Sequence, residues 1–225
     1  MVDPGPDMEN HIRALSAALK PALEVRILLT HSHSDHAGAA CALARKTGAS
    51  LFAPASHQFP EGTDVIVETL TDGDRVPTDH GDLVTVEIPG HTRNHLAFHW
   101  AQAGALFVGD LLLGRGNTTW IGEYPGCVED YLNSLEKVEA LGASVLYPSH
   151  GPPVTSPSYT LGLYRRHRLD RLEEVRAARR EYPEADPVEL ATAIYGREIP
   201  PKLVKAAKAS VAAALFHLDC QEVQD

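Results

Sequence analysis

Possible metal ligands directly follow a short apolar segment, and this combination constrains the fold more than any other feature. Residues 25–30 read VRILLT, which is typical of a buried strand, and residues 31–36 read HSHSDH. The second segment holds four possible ligands: His31, His33, Asp35 and His36. Open α/β sheets place such residues beyond the carboxyl ends of their strands. The pattern therefore predicts a metal site at a sheet edge.

The spacing within HSHSDH indicates how these ligands divide. Alternate side chains of an extended segment point the same way, which would group His31, His33 and Asp35 and direct His36 elsewhere. One loop could then serve two neighbouring metal ions. Nitrogen and carboxylate ligands without thiolate favour zinc, with manganese or iron as alternatives.

Three more candidates each end a predicted strand and begin a turn that contains glycine. They are His91 in PGH, Asp110 in VGD and His150 in PSHG. One such residue alone is usually a turn former. Together with HSHSDH, the three predict a single coherent site.

Short apolar segments alternate with amphipathic ones along the chain. The pattern predicts helices at residues 8–19, 39–48 and 128–141, and further strands at residues 50–54, 64–70, 82–88, 95–100, 105–108 and 144–147. From about residue 157 the composition changes, and three helices are predicted at residues 159–181, 187–195 and 200–218. We therefore predict an α/β domain of sheet and helix layers over residues 1–156, with a small helical appendage over residues 157–225.

The charge and composition of the chain disfavour several classes of binding partner. With 20 Lys and Arg against 30 Asp and Glu, the net charge is −10, which disfavours nucleic acid and anionic membranes. The three cysteines form no CxxC pair, and no apolar run is long enough for a membrane span. We expect a cytoplasmic protein with no membrane partner.

The motifs resemble, in order, those of the metallo-β-lactamase-fold hydrolases. HxHxDH at residues 31–36 is followed by GHT at 90–92, GD at 109–110 and HG at 150–151. The resemblance covers nearly the whole chain and implies an αββα four-layer sandwich with two metal ions at one edge. It implies that His31, His33 and His91 hold one ion, that Asp35, His36 and His150 hold the other, and that Asp110 bridges them.

Asp110 also indicates the branch of this superfamily. Dedicated β-lactamases typically carry Cys or Ser at that place, whereas hydrolases resembling glyoxalase II keep Asp, and the tail resembles the lactamase-beta-like branch. The resemblance implies that a hydroxide shared by two zinc ions cleaves an activated acyl bond, with Asp35 orienting it as the catalytic residue. We favour a thioester in a small-molecule or carrier-bound acyl substrate. The alternatives are a hydrolase of single-stranded RNA or another phosphodiester, weak β-lactamase activity, and an inactive metal-binding scaffold.

Family members normally carry further strands before the Asp-Pro-Gly turn, whereas this sequence begins at Met1-Val2-Asp3. We expect either a truncated N-terminus or a sheet that lacks an edge. An exposed edge could pair with another copy of the chain.

Several other residues permit two interpretations. His95 could bond a ligand carboxylate. Trp120 and Tyr124 could contact substrate or only fix their loop to the body of the protein. The arginines of RRHRLDR, at residues 165–171, are expected to form a solvated face, with guidance of an anionic substrate as the alternative.

Overall fold

The computed structural model describes residues 1–55, 57–59, 64–196 and 199–223. Within these residues, eight strands form two sheets. The first has the order β1-β2-β3 and is parallel, with β1 Arg26–Leu28, β2 Ser50–Pro54 and β3 Val67–Leu70. The second has the order β4-β5-β6-β7-β8, with β4 Arg75–Thr78, β5 Gly81–Glu87, β6 Leu96–Trp100, β7 Ala105–Gly109 and β8 Val145–Pro148.

In the described part of the chain, seven α-helices accompany these sheets. They are α1 Glu9–Leu19, α2 Ser34–Ala37, α3 Ala40–Thr47, α4 Cys127–Ala140, α5 Pro157–Glu181, α6 Pro187–Tyr195 and α7 Pro201–Glu222. Among the described residues, no helix is both long enough and apolar enough to cross a membrane.

Alternation of side chains along the strands produces three apolar layers. In β1 and the residue after it, Ile27 and Leu29 pack with α1 and α3, whereas Leu28 lies between the sheets with Phe52 and Phe98. On the other sheet, Leu106 faces α4 and the C-terminal helices. Three apolar interfaces between four layers make an αββα sandwich, which confirms the predicted fold class.

The C-terminal helices share the largest of these apolar clusters. Tyr164 and Leu172 of α5 and Val211 of α7 pack in the same buried cluster as Leu135 of α4 and Leu106 of β7. Helices α5, α6 and α7 also contact one another. The division at residue 156 stays a prediction, and residues 197–198 and 224–225 of the predicted appendage lie outside the described residues.

Two local predictions were wrong. Strand β4 was not predicted, because Pro77 within it weakens the strand pattern; β4 lies at the sheet edge, where a residue without an N–H is tolerated. The segment after His33 was expected to be extended, but Ser34–Ala37 forms a helical turn. Asp35 and His36 therefore project from neighbouring positions of a helix rather than from opposite faces of a strand.

Gly90 lets the turn before His91 approach α4. Its φ is +131°, and a Cβ there would lie 2.5 Å from the Cα of Tyr131, which is backbone of α4. Only glycine combines this conformation with so close a contact.

Gly90→Ala should therefore lower the free energy of unfolding by about 3 kcal/mol or more, since strain at positive φ adds to overpacking. Gly142→Ala is the matched control, because Gly142 has a φ of +64° but open space around its Cβ position. It should cost about 1 kcal/mol. Equal losses for the two variants in urea unfolding would contradict the close packing of this turn against α4.

Candidate metal centre

The seven predicted ligands meet because their segments leave the strands at one edge of the sandwich. Strand β5 is antiparallel to β6, β6 is antiparallel to β7, and β7 is parallel to β8. Strands β5, β7 and β8 therefore run in the same direction, and the turns after them carry His91, Asp110 and His150. The amide of Leu96 donates to the carbonyl of Thr30 at 2.8 Å, which joins the end of β1 to this edge.

His31, His33 and His91 form a first group of nitrogens. His33 Nδ1 lies 3.1 Å from His31 Nε2 and 3.1 Å from His91 Nε2. Two ligands on a tetrahedral ion with bonds of about 2.0–2.1 Å are separated by about 3.3 Å. The spacing of these nitrogens therefore matches three ligands on one small cation.

Hydrogen bonds fix the tautomers of this group. Thr30 Oγ1 donates to Asp3 at 2.7 Å, so it accepts from His31 Nδ1–H at 2.9 Å. His91 Nδ1–H donates to the carbonyl of Trp120 at 2.9 Å. The Nε2 atoms of His31 and His91 are left as lone pairs, and a single proton on His33 Nδ1 could satisfy only one of them.

Burial keeps His31 and His91 neutral. It is the largest cause that lowers the pKa of His31 and of His91 below the ordinary value. Neutral imidazoles with converging lone pairs repel one another unless a cation lies between them. Metal binding resolves this arrangement, since a ligand histidine must be neutral.

Asp35, His36 and His150 form a second group. His150 Nε2 lies 3.4 Å from Asp35 Oδ2, and His36 Nε2 lies 3.7 Å from the same oxygen. His36 Nε2 is buried without a hydrogen-bond partner. The side chains of Asp35 and His150 are 55% and 47% exposed, so this group faces solvent.

Asp110 lies between the two groups. Its Oδ2 is 3.5 Å from His36 Nε2 and 3.7 Å from both His91 Nε2 and His150 Nε2. Burial alone would raise the pKa of Asp110, but the close approach and charge of His36 and the neighbouring histidines hold it below its ordinary value. Its Oδ1 is buried without a partner. An ionised carboxylate at this place fits a bridge between two cations.

Asp3 supports both groups, and sequence reasoning treated it only as part of a turn. Its Oδ1 accepts from the amide of Thr30 at 2.8 Å. Its Oδ2 accepts from Thr30 Oγ1, from His36 Nδ1 at 2.9 Å and from Ser149 Oγ at 2.8 Å. The residue has a φ of +44°, a conformation that Asp tolerates better than most residues. The DPG sequence contained no signal for partners so distant in the chain.

His95 contacts a predicted ligand differently from the expectation. The backbone amide of Asp110 donates to His95 Nε2 at 3.2 Å, so His95 bonds the main chain and not the carboxylate. Gly109 makes this approach possible, because a Cβ there would lie 2.3 Å from His95 Nε2. His95 therefore positions the Asp110 backbone at the end of β7.

A cavity of about 660 Å³ opens beside the metal-ligand cluster. His91, Asp110 and His150 form part of its wall. The remainder of its wall comes from the loop after β7 and from the C-terminal helices: Leu113, Thr118, Thr119, Trp120, His167, Arg168, Arg171, Tyr195, Ile199, Pro200, Leu203, Ala206, Ala207 and Ser210. Most of this wall is apolar, which is typical of a pocket for a small organic ligand.

The two aromatic residues of that loop have different roles. Trp120 lines the cavity and also donates from Nε1 to the carbonyl of Ala206 in α7 at 3.2 Å. Tyr124 is buried, and its hydroxyl donates to Asp130 at 2.7 Å. Trp120 is thus available to a ligand, whereas Tyr124 fixes the loop to α4.

The contacts of Asp3 generate a prediction about metal affinity. Asp3→Asn removes the charge that orients His36 and Thr30, so affinity for a divalent metal should fall about 10–100-fold in a competition titration with a chromophoric chelator. Asp7→Asn is the control, since Asp7 is exposed on the same N-terminal segment. An unchanged affinity in Asp3→Asn would show that these hydrogen bonds do not support the ligands.

Comparisons with known proteins identify the family and the fold. A model of the metallo-beta-lactamase superfamily matches residues 1–150. A beta-lactamase domain protein from Burkholderia ambifaria superimposes with a TM-score of 0.86 at 23% identity, over 98% of this chain and 77% of that one. At this identity, the likeness supports the fold alone.

Three relatives illustrate the sequence similarity. Beta-lactamase-like protein 2 homolog of Caenorhabditis elegans is 29% identical over 202 residues, covering 87% of this chain and 66% of the relative. A hydroxyacylglutathione hydrolase of Cereibacter sphaeroides is 37% identical over 123 residues, covering 54% and 46%. An atrochrysone carboxyl ACP thioesterase of Aspergillus fumigatus is 29% identical over 182 residues, covering 76% and 56%. This chain thus spans about half to two thirds of the length of these relatives, and the match over residues 1–150 shows that it belongs to the metallo-beta-lactamase superfamily.

Proposed function

We propose that this protein is a metal-dependent hydrolase that cleaves the thioester bond of an acyl substrate, with two zinc ions as its cofactors. The observation that carries the proposal is the mostly apolar cavity whose wall includes His91, Asp110 and His150. Such a cavity suits an acyl group whose carbonyl lies at the metal ligands. Relatives named as a hydroxyacylglutathione hydrolase and an ACP thioesterase support the same chemistry.

The donor set fits two cations. His31, His33 and His91 would hold one, Asp35, His36 and His150 the other, and Asp110 would bridge them. All these donors are nitrogen or carboxylate oxygen, which favours zinc and leaves manganese or iron as alternatives. Bound there, the metals would lower the pKa of water and polarise the scissile carbonyl.

The protein's own side chains would orient the attacking water and exclude bulk water from the substrate. Asp35 is the exposed carboxylate of the site, 3.4 Å from His150, and it would orient the attacking water and hold its proton. Trp120 and Leu203 line the cavity and would exclude bulk water from the acyl chain. Asp3 holds the His36 ring in place through the 2.9 Å bond to Nδ1.

The scarcity of carboxyl groups in the cavity wall favours a thiolate as the leaving group. Among the described residues, Asp110 is the sole carboxylate in its wall, and the other titratable residues there are two metal-ligand histidines, His167, two arginines and Tyr195. A thiol has a pKa of about 8.5, so a thiolate departs with little help from a general acid. An amide or alkoxide leaving group needs such help more, which favours a thioester.

The other interpretations are separable by experiment. A hydrolase of single-stranded RNA or another phosphodiester, a β-lactamase and an inactive scaffold would each respond differently to a panel of substrates. The cytoplasmic location and self-association through a sheet edge stay predictions.

The test is hydrolysis of an acyl thioester, an aryl phosphodiester, single-stranded RNA and a β-lactam. Each is assayed as purified, after a chelator and after zinc is restored. We expect thioester cleavage that the chelator abolishes and zinc restores. Preferential cleavage of RNA or the phosphodiester would contradict the thioester assignment, and no zinc-restorable activity on any substrate would contradict the hydrolase assignment.

Asp35→Ala should lower kcat for the thioester by about 10²–10⁴-fold, because a positioned acid–base group contributes about that much. Asp170→Ala is the control, since Asp170 is exposed on α5. Circular dichroism checks that both variants fold. Full activity in a folded Asp35→Ala variant would remove Asp35 from the mechanism.

A further inference from the structure

Arg168 is a buried cation in the cavity wall. Its relative exposure is 5%, although the sequence pattern predicted a solvated face for this arginine. Its Nη2 donates to the carbonyl of Thr119 at 3.1 Å, and its guanidinium lies 5.5 Å from the centre of the Tyr131 ring. Its Nε is buried without a hydrogen-bond partner.

The charge of Arg168 has no anion beside it within the described part of the chain. Burial is the largest influence on the pKa of Arg168 and lowers it. The charge effects that follow come from Tyr131, Tyr195, Cys127 and Arg171, with no carboxylate among them. Buried charges in proteins are normally paired, because leaving water without compensation is costly. An unpaired guanidinium at a cavity wall therefore indicates a place for a ligand anion.

Arg171 adds a second cation to the same wall. It lies three residues further along α5, on the same face of the helix, and it lines the cavity. Its guanidinium stacks on the Tyr195 ring at 4.5 Å, and it also pairs with Glu174, whose side chain is 53% exposed. The cavity thus has metal ligands in one part of its wall, two arginines in another, and apolar side chains such as Leu203 and Ala206 as well.

We propose that Arg168 and Arg171 bind an anionic oxygen group of the substrate, a carboxylate or a phosphate. Planar guanidinium groups match either anion in a bidentate manner. This inference rests on the proposed function and refines it: the substrate is an amphipathic anion, with an apolar part along the cavity and a charged group at α5. The anion belongs either to the acyl group, as a carboxylate, or to the thiol part, as a phosphate.

Binding of small probes tests the anion site without any turnover. Hexanoate, hexyl phosphate and hexanamide share an apolar chain and differ in charge. Their affinities are measured by calorimetry with the metal-loaded protein. Trp120 fluorescence in a Trp100→Phe background reports whether the probe enters the cavity, because the chain has 2 tryptophans and Trp120 lines that wall.

We expect one of the anions to bind at least about tenfold more tightly than hexanamide, since a charge-assisted contact contributes roughly this much. Arg171→Gln should reduce that preference, because only Arg168 then remains, and should leave hexanamide binding unchanged; Arg171→Lys should restore the preference in part. Arg166→Gln is the matched control, because Arg166 is exposed on the same helix and does not line the cavity.

Arg168→Gln is a second variant, and Arg171→Gln keeps the test valid if loss of the buried residue prevents folding. Equal binding of the three probes would overturn the proposal. So would an anion preference that Arg171→Gln leaves unchanged, which would place the anion away from Arg171, and so would a lack of binding by both anions.

A kinetic arm identifies the source of the anion and separates this inference from the proposed function. The substrates are the butyryl and glutaryl thioesters of N-acetylcysteamine and butyryl-coenzyme A. An Arg171→Gln increase in KM confined to the glutaryl thioester places the carboxylate on the acyl group, and one confined to butyryl-coenzyme A places the phosphate on the thiol. Probe binding that depends on Arg171, without hydrolysis of any thioester, would refute the proposed function and leave the anion site standing.

Discussion

The carboxylate of Asp3 is the contact on which the arrangement of the metal centre depends. It accepts hydrogen bonds from Thr30, His36 and Ser149. Thr30 precedes His31 of the first group, His36 belongs to the second group, and Ser149 precedes His150 of the second group. Each of these bonds fixes the direction of a lone pair or the position of a turn. Without this anion, His36 Nδ1 would lose its acceptor, and Thr30 Oγ1 would lose the partner that directs its lone pairs to His31.

The second determinant is the position of the C-terminal helices. Helix α5 packs in the apolar cluster that also covers β7, and α7 is joined to the loop after β7 by the bond from Trp120 to Ala206. The same loop carries the carbonyl that orients His91. The cavity wall and the ligand orientation are therefore linked through Trp120, so a change in the tail would affect both the shape of the cavity and the metal centre.

The sequence was sufficient to predict the fold class and to predict that seven candidate ligands lie close together. His91, Asp110 and His150 each follow a strand, and strands of one direction end at one edge, so a local pattern implies a common location. The extended backbone predicted for HSHSDH was wrong after His33, because Ser34–Ala37 forms a helical turn.

Other features depend on partners far apart in the chain, and no local pattern reveals them. Asp3 and Ser149 are separated by 146 residues, and Arg168 meets the carbonyl of Thr119 across 49 residues. A run such as RRHRLDR is usually a solvated face, and only the packing of α5 shows that one of its arginines is buried. Strand β4 was missed for a local reason, since Pro77 is unfavourable in a strand except at an edge.

We propose that the seven side chains hold two metal ions with Asp110 between them. Anomalous diffraction at the zinc edge, from crystals of the zinc-loaded protein, is the decisive measurement. We predict two peaks about 3.5–4 Å apart. One should lie at His31 Nε2, His33 Nδ1 and His91 Nε2, and the other at Asp35, His36 and His150. A single peak, or peaks away from these atoms, would contradict it.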